Sequence, residues 1–144
     1  MRLRIAANAD DILWQNDLAV LRSMKGRVPW DQRFGQGQLK VLSYDLDTEA
    51  GTFLFHWPAG YDPLGQHGHA GNEELYVLEG ELSCGDKAYG PGAYLYTPRG
   101  EKHGPFVAGP DGCLFLLGVD GPLVDEEYIQ ELLAAAGKAP RRRA

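Results

Sequence analysis

Apolar positions along the chain fall in short runs that Gly and Pro cut apart, rather than in long helical stripes. Residues 39–44, 52–57, 74–78, 93–97 and 113–119 are each of strand length and rich in aromatic and β-branched side chains. Such runs, bounded by turn residues at short intervals, predict an all-β sandwich or barrel. The segments between them agree. Residues 47–51 (DTEAG) and Cys84-Gly85-Asp86-Lys87 predict hairpin connections, and Gly90-Pro91-Gly92 predicts a tight corner.

The pattern changes near the C-terminus. Val124, Tyr128, Ile129, Leu132, Leu133 and Ala136 recur at helical spacing and predict a terminal helix over about 124–136. Asp125, Glu126 and Glu127 in its first turn suit the positive end of the helix dipole, and Gly137 suits its end. Residues 10–21 fit a short helix or an edge strand equally well. There is no internal repeat and no low-complexity linker, so one domain over 1–144 is expected, with a barrel core over about 37–120.

The length of 144 residues is enough for one core, and 44% hydrophobic with 24% charged residues is an ordinary globular balance. A formal net charge of -6 argues against a nucleic-acid partner, whose phosphates require a basic face. Arg141, Arg142 and Arg143 form the one dense basic cluster and read as a solvated tail. No apolar run reaches the roughly 18 residues of a membrane helix. The first fourteen residues lack the apolar stretch of a secretory signal. A cytoplasmic protein with no membrane partner is therefore expected. Cys84 and Cys113 lack a CxxC spacing and read as buried free thiols.

Four histidines are present: His56, His67, His69 and His103. In His67-Gly68-His69 the imidazoles lie two apart, so on a strand they point to one side. Glu73 opens the next run, and if that strand paired with the histidine strand its carboxylate would meet both rings. Two imidazoles and one carboxylate on one face are a ligand set of non-haem iron and of some zinc and manganese sites. His56, within Phe53-Leu54-Phe55-His56-Trp57, reads as an ordinary core or surface histidine, with a smaller chance of lining a cavity. Phe55, Trp57, Tyr94, Tyr96 and Phe106 are core by default and a pocket wall otherwise. Arg99 reads as a surface arginine or a contact for an anionic substrate.

The stretch 60–80, GYDPLGQHGHAGNEELYVLEG, resembles the first cupin motif, G-x5-H-x-H-x3/4-E-x6-G, with Gly60 one residue further from His67 than the pattern has it. The stretch 92–107, GAYLYTPRGEKHGPFV, resembles the second, G-x5-P-x-G-x2-H-x3-N, with Val107 in place of the Asn. The resemblance implies an all-β jelly-roll barrel, the cupin double-stranded β-helix. It makes His67, His69, Glu73 and His103 the ligands of one divalent metal. Spacing to Gly80 prefers Glu73 over its neighbour Glu74. Three-histidine sites also occur in this branch, which would leave Glu73 beside the metal ligands rather than among them.

Within the superfamily the chain is similar to the cupin domain of ChrR-type anti-sigma factors and to small dioxygenases acting on acetylacetone or dihydroxyacetophenone. The first reading it implies is an enzyme: an Fe(II) dioxygenase acting on a small diketone or aromatic ketone, with dioxygen as co-substrate and no catalytic residues beyond the metal ligands. Zn(II), Ni(II) and Mn(II) are the other metals the ligand set accepts. The second reading is a non-enzymatic zinc-binding sensor of the ChrR type. Against its full anti-sigma form, no Cys or His precedes His56 that would build an N-terminal zinc domain. A sugar-nucleotide isomerase or epimerase, a third use of the fold, does not need four metal ligands. Exposed edge strands predict a homodimer.

Overall fold

One seven-stranded sheet organises the described part of the chain, residues 7–23 and 34–123 of the computed structural model. Its strands are β1 (Gln15–Asn16), β2 (Gln38–Tyr44), β3 (Gly51–Trp57), β4 (Glu73–Cys84), β5 (Lys87–Tyr89), β6 (Tyr94–Thr97) and β7 (Phe106–Val119). A short helix, α1 (Asp17–Ser23), follows β1. The hydrogen-bonded order is β1-β2-β3-β7-β4-β5, with β6 also on β4, and every pairing is antiparallel. The path has two free ends, so it is consistent with the expected jelly roll without closing as a hydrogen-bonded barrel. The predicted helix over 124–136 and the arginine tail lie outside the described residues.

Two strands outrun their apolar patterns. β4 continues through Glu79-Gly80-Glu81 to Cys84, and β7 starts at Phe106 rather than at 113. The β4–β7 ladder shifts register between Val77 and Glu79 and again between Gly80 and Leu82. Each shift breaks the period-2 alternation that a sequence reading follows. The residues before β2 that left helix and strand open hold both. They form a single 3-10 turn (Ala9–Asp11), then β1, then α1, with Asn16 Oδ1 accepting from the Leu18 N–H at 3.1 Å as its cap. Lys40 is buried under this segment, its Nζ donating to the Ala9 carbonyl at 2.7 Å and lying 4.8 Å from the centre of the Trp14 ring.

Alternation along β3 sends Phe53, Phe55 and Trp57 inward, where they meet Phe115 and Leu117 of β7 and Leu75, Val77 and Leu82 of β4. Phe55 stacks on Phe115 at 5.2 Å between ring centres, and Trp57 meets Phe115 edge-on at 5.1 Å. Each such side chain taken from water contributes about 1.5–3 kcal/mol, so this cluster carries much of the fold. Both cysteines are free. Cys113 is buried, and burial pushes its thiol up to about 11, which leaves it unreactive; Cys84 is half-buried.

Gly80 and Gly60 separate two costs of replacing glycine. Both have positive φ, 75° and 74°. A Cβ at Gly60 meets nothing within 4 Å, whereas one at Gly80 would stand 2.1 Å from the Gly112 carbonyl oxygen. Gly60→Ala is expected to cost about 1–2 kcal/mol, the left-handed penalty alone. Gly80→Ala is expected to cost at least twice as much, because backbone must move. Urea unfolding midpoints of the two variants check this, and equal losses would contradict it.

Candidate metal centre

Three chain segments bring His67, His69, Glu73 and His103 together at one end of the sheet. His67 and His103 sit side by side in an isolated antiparallel bridge, each backbone N–H donating to the other's carbonyl at 2.8 Å. His69 is tied to the same loop, its carbonyl accepting from the Gly100 N–H at 3.0 Å. Glu73 is the first residue of β4 and pairs with Thr97 on one side and Val119 on the other. The histidine segment makes only that one bridge, so it is not a strand paired with β4; the carboxylate reaches the rings across a loop. β4 alternates as the sequence requires: Glu73 is buried, while Glu74 faces outward and accepts from the Tyr94 hydroxyl at 2.7 Å.

The rings are aimed by their outer nitrogens. His67 Nδ1 donates to the Gly65 carbonyl at 2.8 Å, and His69 Nδ1 donates to the Leu123 carbonyl. His103 Nδ1 lies 2.9 Å from the Thr97 hydroxyl. Those carbonyls can only accept, so in neutral rings Nε2 of His67 and of His69 carries the lone pair rather than the proton. Both stand 3.0 Å from Nε2 of His103. One proton on His103 could serve only one of these two contacts. Glu73 Oε2 adds a further acceptor, 2.6 Å from His69 Nε2 and buried without a hydrogen bond; Oε1 lies 3.7 Å from His103 Nε2. Acceptors crowded together out of water repel one another unless positive charge stands among them. Two nitrogens about 2.1 Å from one ion and at right angles about it stand about 3.0 Å apart. The three histidine nitrogens lie within 4.8 Å of one another and could hold a metal ion.

Electrostatics follow from that crowding. Burial above all, then the His69 imidazole, lowers His67 to about 4. Burial likewise lowers His103, against the pull of Glu73. For Glu73 burial acts upward, but the adjoining His69 and the other two imidazoles outweigh it and hold the carboxyl below its ordinary range. In a metal-free protein burial thus holds His67 and His103 toward the neutral form beside a carboxylate, the protonation state a cation needs of them.

A cavity of about 60 Å³ opens beside the cluster, walled by Phe55, Trp57, Leu64, Phe106 and Phe115 among others. No Lys or Arg lines it among the described residues. Tyr94 and Tyr96 are exposed on the outer face and take no part in the wall. His56 is exposed too, its ring 6.0 Å from that of Trp14, and Arg99 is exposed with its backbone N–H donating to Asn72 Oδ1 at 2.9 Å. Nothing in the sequence marks the groups that aim the rings, because two of them are backbone carbonyls. It is equally silent on Asp17, a buried carboxylate at the cavity wall that accepts from the Tyr61 hydroxyl and from the Gly35 N–H at 2.8 Å. A lone acid at the start of a short helix carries no pattern that marks it as buried.

A family model described as ChrR Cupin-like domain matches residues 22–122. Among solved structures, a candidate dioxygenase of Nostoc punctiforme is similar at 25% identity and a TM-score of 0.60, over 79% of this chain and 35% of that one. The anti-sigma factor ChrR in complex with SigE, from Rhodobacter sphaeroides, is similar at 22% identity and 0.53, over 78% and 52%. A candidate acetylacetone dioxygenase of Methylibium petroleiphilum is similar at 18% identity and 0.60, over 88% and 87%. The chain thus spans about a third of the first structure and about half of the second. No curated protein matches it in sequence.

The metal-free protein should lose stability in acid. His67 has an ordinary value of 6.5 in the unfolded chain and about 4 when folded. Its stability contribution is therefore complete above pH 6.5 and is lost as the pH falls from there through about 4. His103 acts in the same direction, and Glu73 adds its own loss below its ordinary 4.5. Urea midpoints of chelator-treated protein between about pH 7 and pH 4 are expected to fall steadily, less steeply in His67→Gln. A flat profile would contradict the buried neutral cluster.

Proposed function

We propose, from the premise that the chain belongs to the ChrR cupin-like domain family, that it is a metal-dependent dioxygenase acting on a small uncharged diketone or aromatic ketone. The carrying observation is the buried set of imidazole nitrogens opening directly onto an apolar cavity that has no cationic side chain among the described residues. His67, His69 and His103 would hold the ion, with Glu73 as the fourth ligand. Bound Fe(II) would supply a Lewis acid and the electrons that dioxygen needs. That a carbon–carbon bond is cleaved, with both oxygen atoms entering the products, is part of this proposal and rests on the resemblance to small cupin dioxygenases alone.

The chain's own residues do the rest. The Gly65 and Leu123 carbonyls and the Thr97 hydroxyl fix the three rings, so that little reorganisation accompanies binding. The walls of Phe55, Trp57, Phe106 and Phe115 exclude water and limit the substrate to a compact molecule. With no Lys or Arg in the wall among the described residues, a carboxylate or phosphate substrate would find no cationic partner from them. The carboxylate of Glu73 would offset one positive charge of a divalent ion and leave one for an enolate to balance.

A second reading is a zinc-holding sensor, supported by the family itself and by the likeness to ChrR. The same buried cluster would then retain zinc without turnover, and the small cavity would be incidental.

Oxygen consumption by Fe(II)-loaded protein across a panel of β-diketones and aromatic ketones separates the two. The dioxygenase reading expects turnover, and His103→Ala should lower it by more than the roughly 10–100-fold that loss of a supporting residue costs. Under the sensor reading there is no turnover to lose, and the same change weakens metal retention and thermal stability. Wild-type protein that consumes no oxygen with any of these substrates would count against the enzyme.

A further inference from the structure

The segments that carry the candidate ligands are joined by a polar knot that the ligand set itself does not use. Asn72 stands immediately before Glu73, and Asp120 immediately after the last residue of β7. The Asn72 backbone N–H donates to Asp120 Oδ1 and its side-chain amide donates to Oδ2, both at 2.7 Å. The Asp120 N–H returns a bond to the Asn72 carbonyl at 3.1 Å. Asn72 Oδ1 accepts the Arg99 N–H at 2.9 Å, which draws in the loop leading to His103.

Beside this knot the backbones touch. A Cβ on Gly71 would lie 2.5 Å from the Gly121 nitrogen, so the path of residues 120–123 is pressed against the loop between His69 and Glu73. Three residues beyond Asp120, the Leu123 carbonyl accepts from His69 Nδ1. Where the chain leaves β7 therefore decides where that carbonyl stands. Without it the His69 ring loses the acceptor that fixes Nδ1, and the aim of Nε2 at His103 and Glu73 is less sharply defined.

We propose that Asp120, gripped by Asn72, is a positioning residue for His69: the pair fixes the exit of β7 so that the Leu123 carbonyl holds Nδ1–H and Nε2 faces the other ligands. The consequence for metal affinity rests on the metal-site reading above, whereas the hydrogen bond itself does not.

The pair allows a reciprocal exchange. In Asp120→Asn an amide NH2 faces the Asn72 NH2, and in Asn72→Asp two carboxylates face each other. In the double variant N72D/D120N, the carboxylate placed at position 72 accepts from both the amide placed at position 120 and the Arg99 N–H. The oxygen of that amide still accepts the backbone N–H of residue 72. Every bond is rebuilt with the charge moved across. Two readouts apply to the full chain. In metal-free protein, proton–nitrogen NMR should show a protected His69 Nδ1–H in the wild type. It should be lost or broadened in each single variant and recovered in the double. Zinc affinity, measured by competition with a chelator, should weaken about tenfold in the singles and return in the double.

Single variants that keep the protected proton and the affinity while only melting earlier would reduce the pair to a plain fold contact and overturn the proposal. So would a double variant no better than the singles, or a wild type without the signal. A wild type that shows the proton but binds no zinc would sink the metal reading and leave the positioning role standing.

Discussion

Four acceptor groups, three imidazoles and a carboxylate, converge where water hardly reaches, and the rest of the site is arranged around tolerating them. His67, His69 and Glu73 are 3%, 6% and 3% exposed, so none can turn to solvent for relief. The outer nitrogens of His67 and His69 are already committed, which removes the simplest escape, a change of tautomer. A positive ion held by the three imidazoles, beside the carboxylate, would relieve that crowding. Among the described residues, the cavity wall offers no cationic side chain to do so.

The sheet makes this convergence possible by keeping its long strands irregular. β4 and β7 run together over most of their length, and their two register shifts let one ladder serve both the aromatic core and the ligand end. Glu73 and Val119 close the ladder next to the site, and the knot of Asn72 and Asp120 continues it by one residue. On the other side the His67–His103 bridge ties the two histidine loops to each other rather than to the sheet. The histidines thus stand on loops, but loops that backbone hydrogen bonds hold in place.

Much of this was legible in the chain alone. Runs of aromatic and β-branched residues between turn residues placed β2, β3 and β6 within a residue or two, and β3 and β6 alternate between a more and a less buried face. The same alternation separates Glu73 from Glu74. Less visible were the extension of β7 back to Phe106, where Gly109-Pro110-Asp111-Gly112 interrupts the ladder with Gly112 at a φ of 79°, and the bends within β4. The motif resemblance brought His67, His69, Glu73 and His103 onto one list, but not the loop geometry that joins them. The supporting groups were beyond reach, since a backbone carbonyl such as that of Leu123 leaves no mark on residue type. Aromatics divided by register: Phe55, Trp57 and Phe106 turned inward, Tyr94 and Tyr96 outward.

The separation between ligand and support matters for how the site would respond to change. Loss of an imidazole would take a donor from the ion directly, while loss of a carbonyl's position alters only the aim of a ring that is still present. Both kinds of change presuppose an ion. Elemental analysis of protein purified without oxygen or added metal tests that premise most directly. One divalent transition metal per folded chain is the predicted result, iron under the dioxygenase reading and zinc under the sensor reading. Protein that carries no such metal, and takes up none when iron or zinc is supplied, would contradict it.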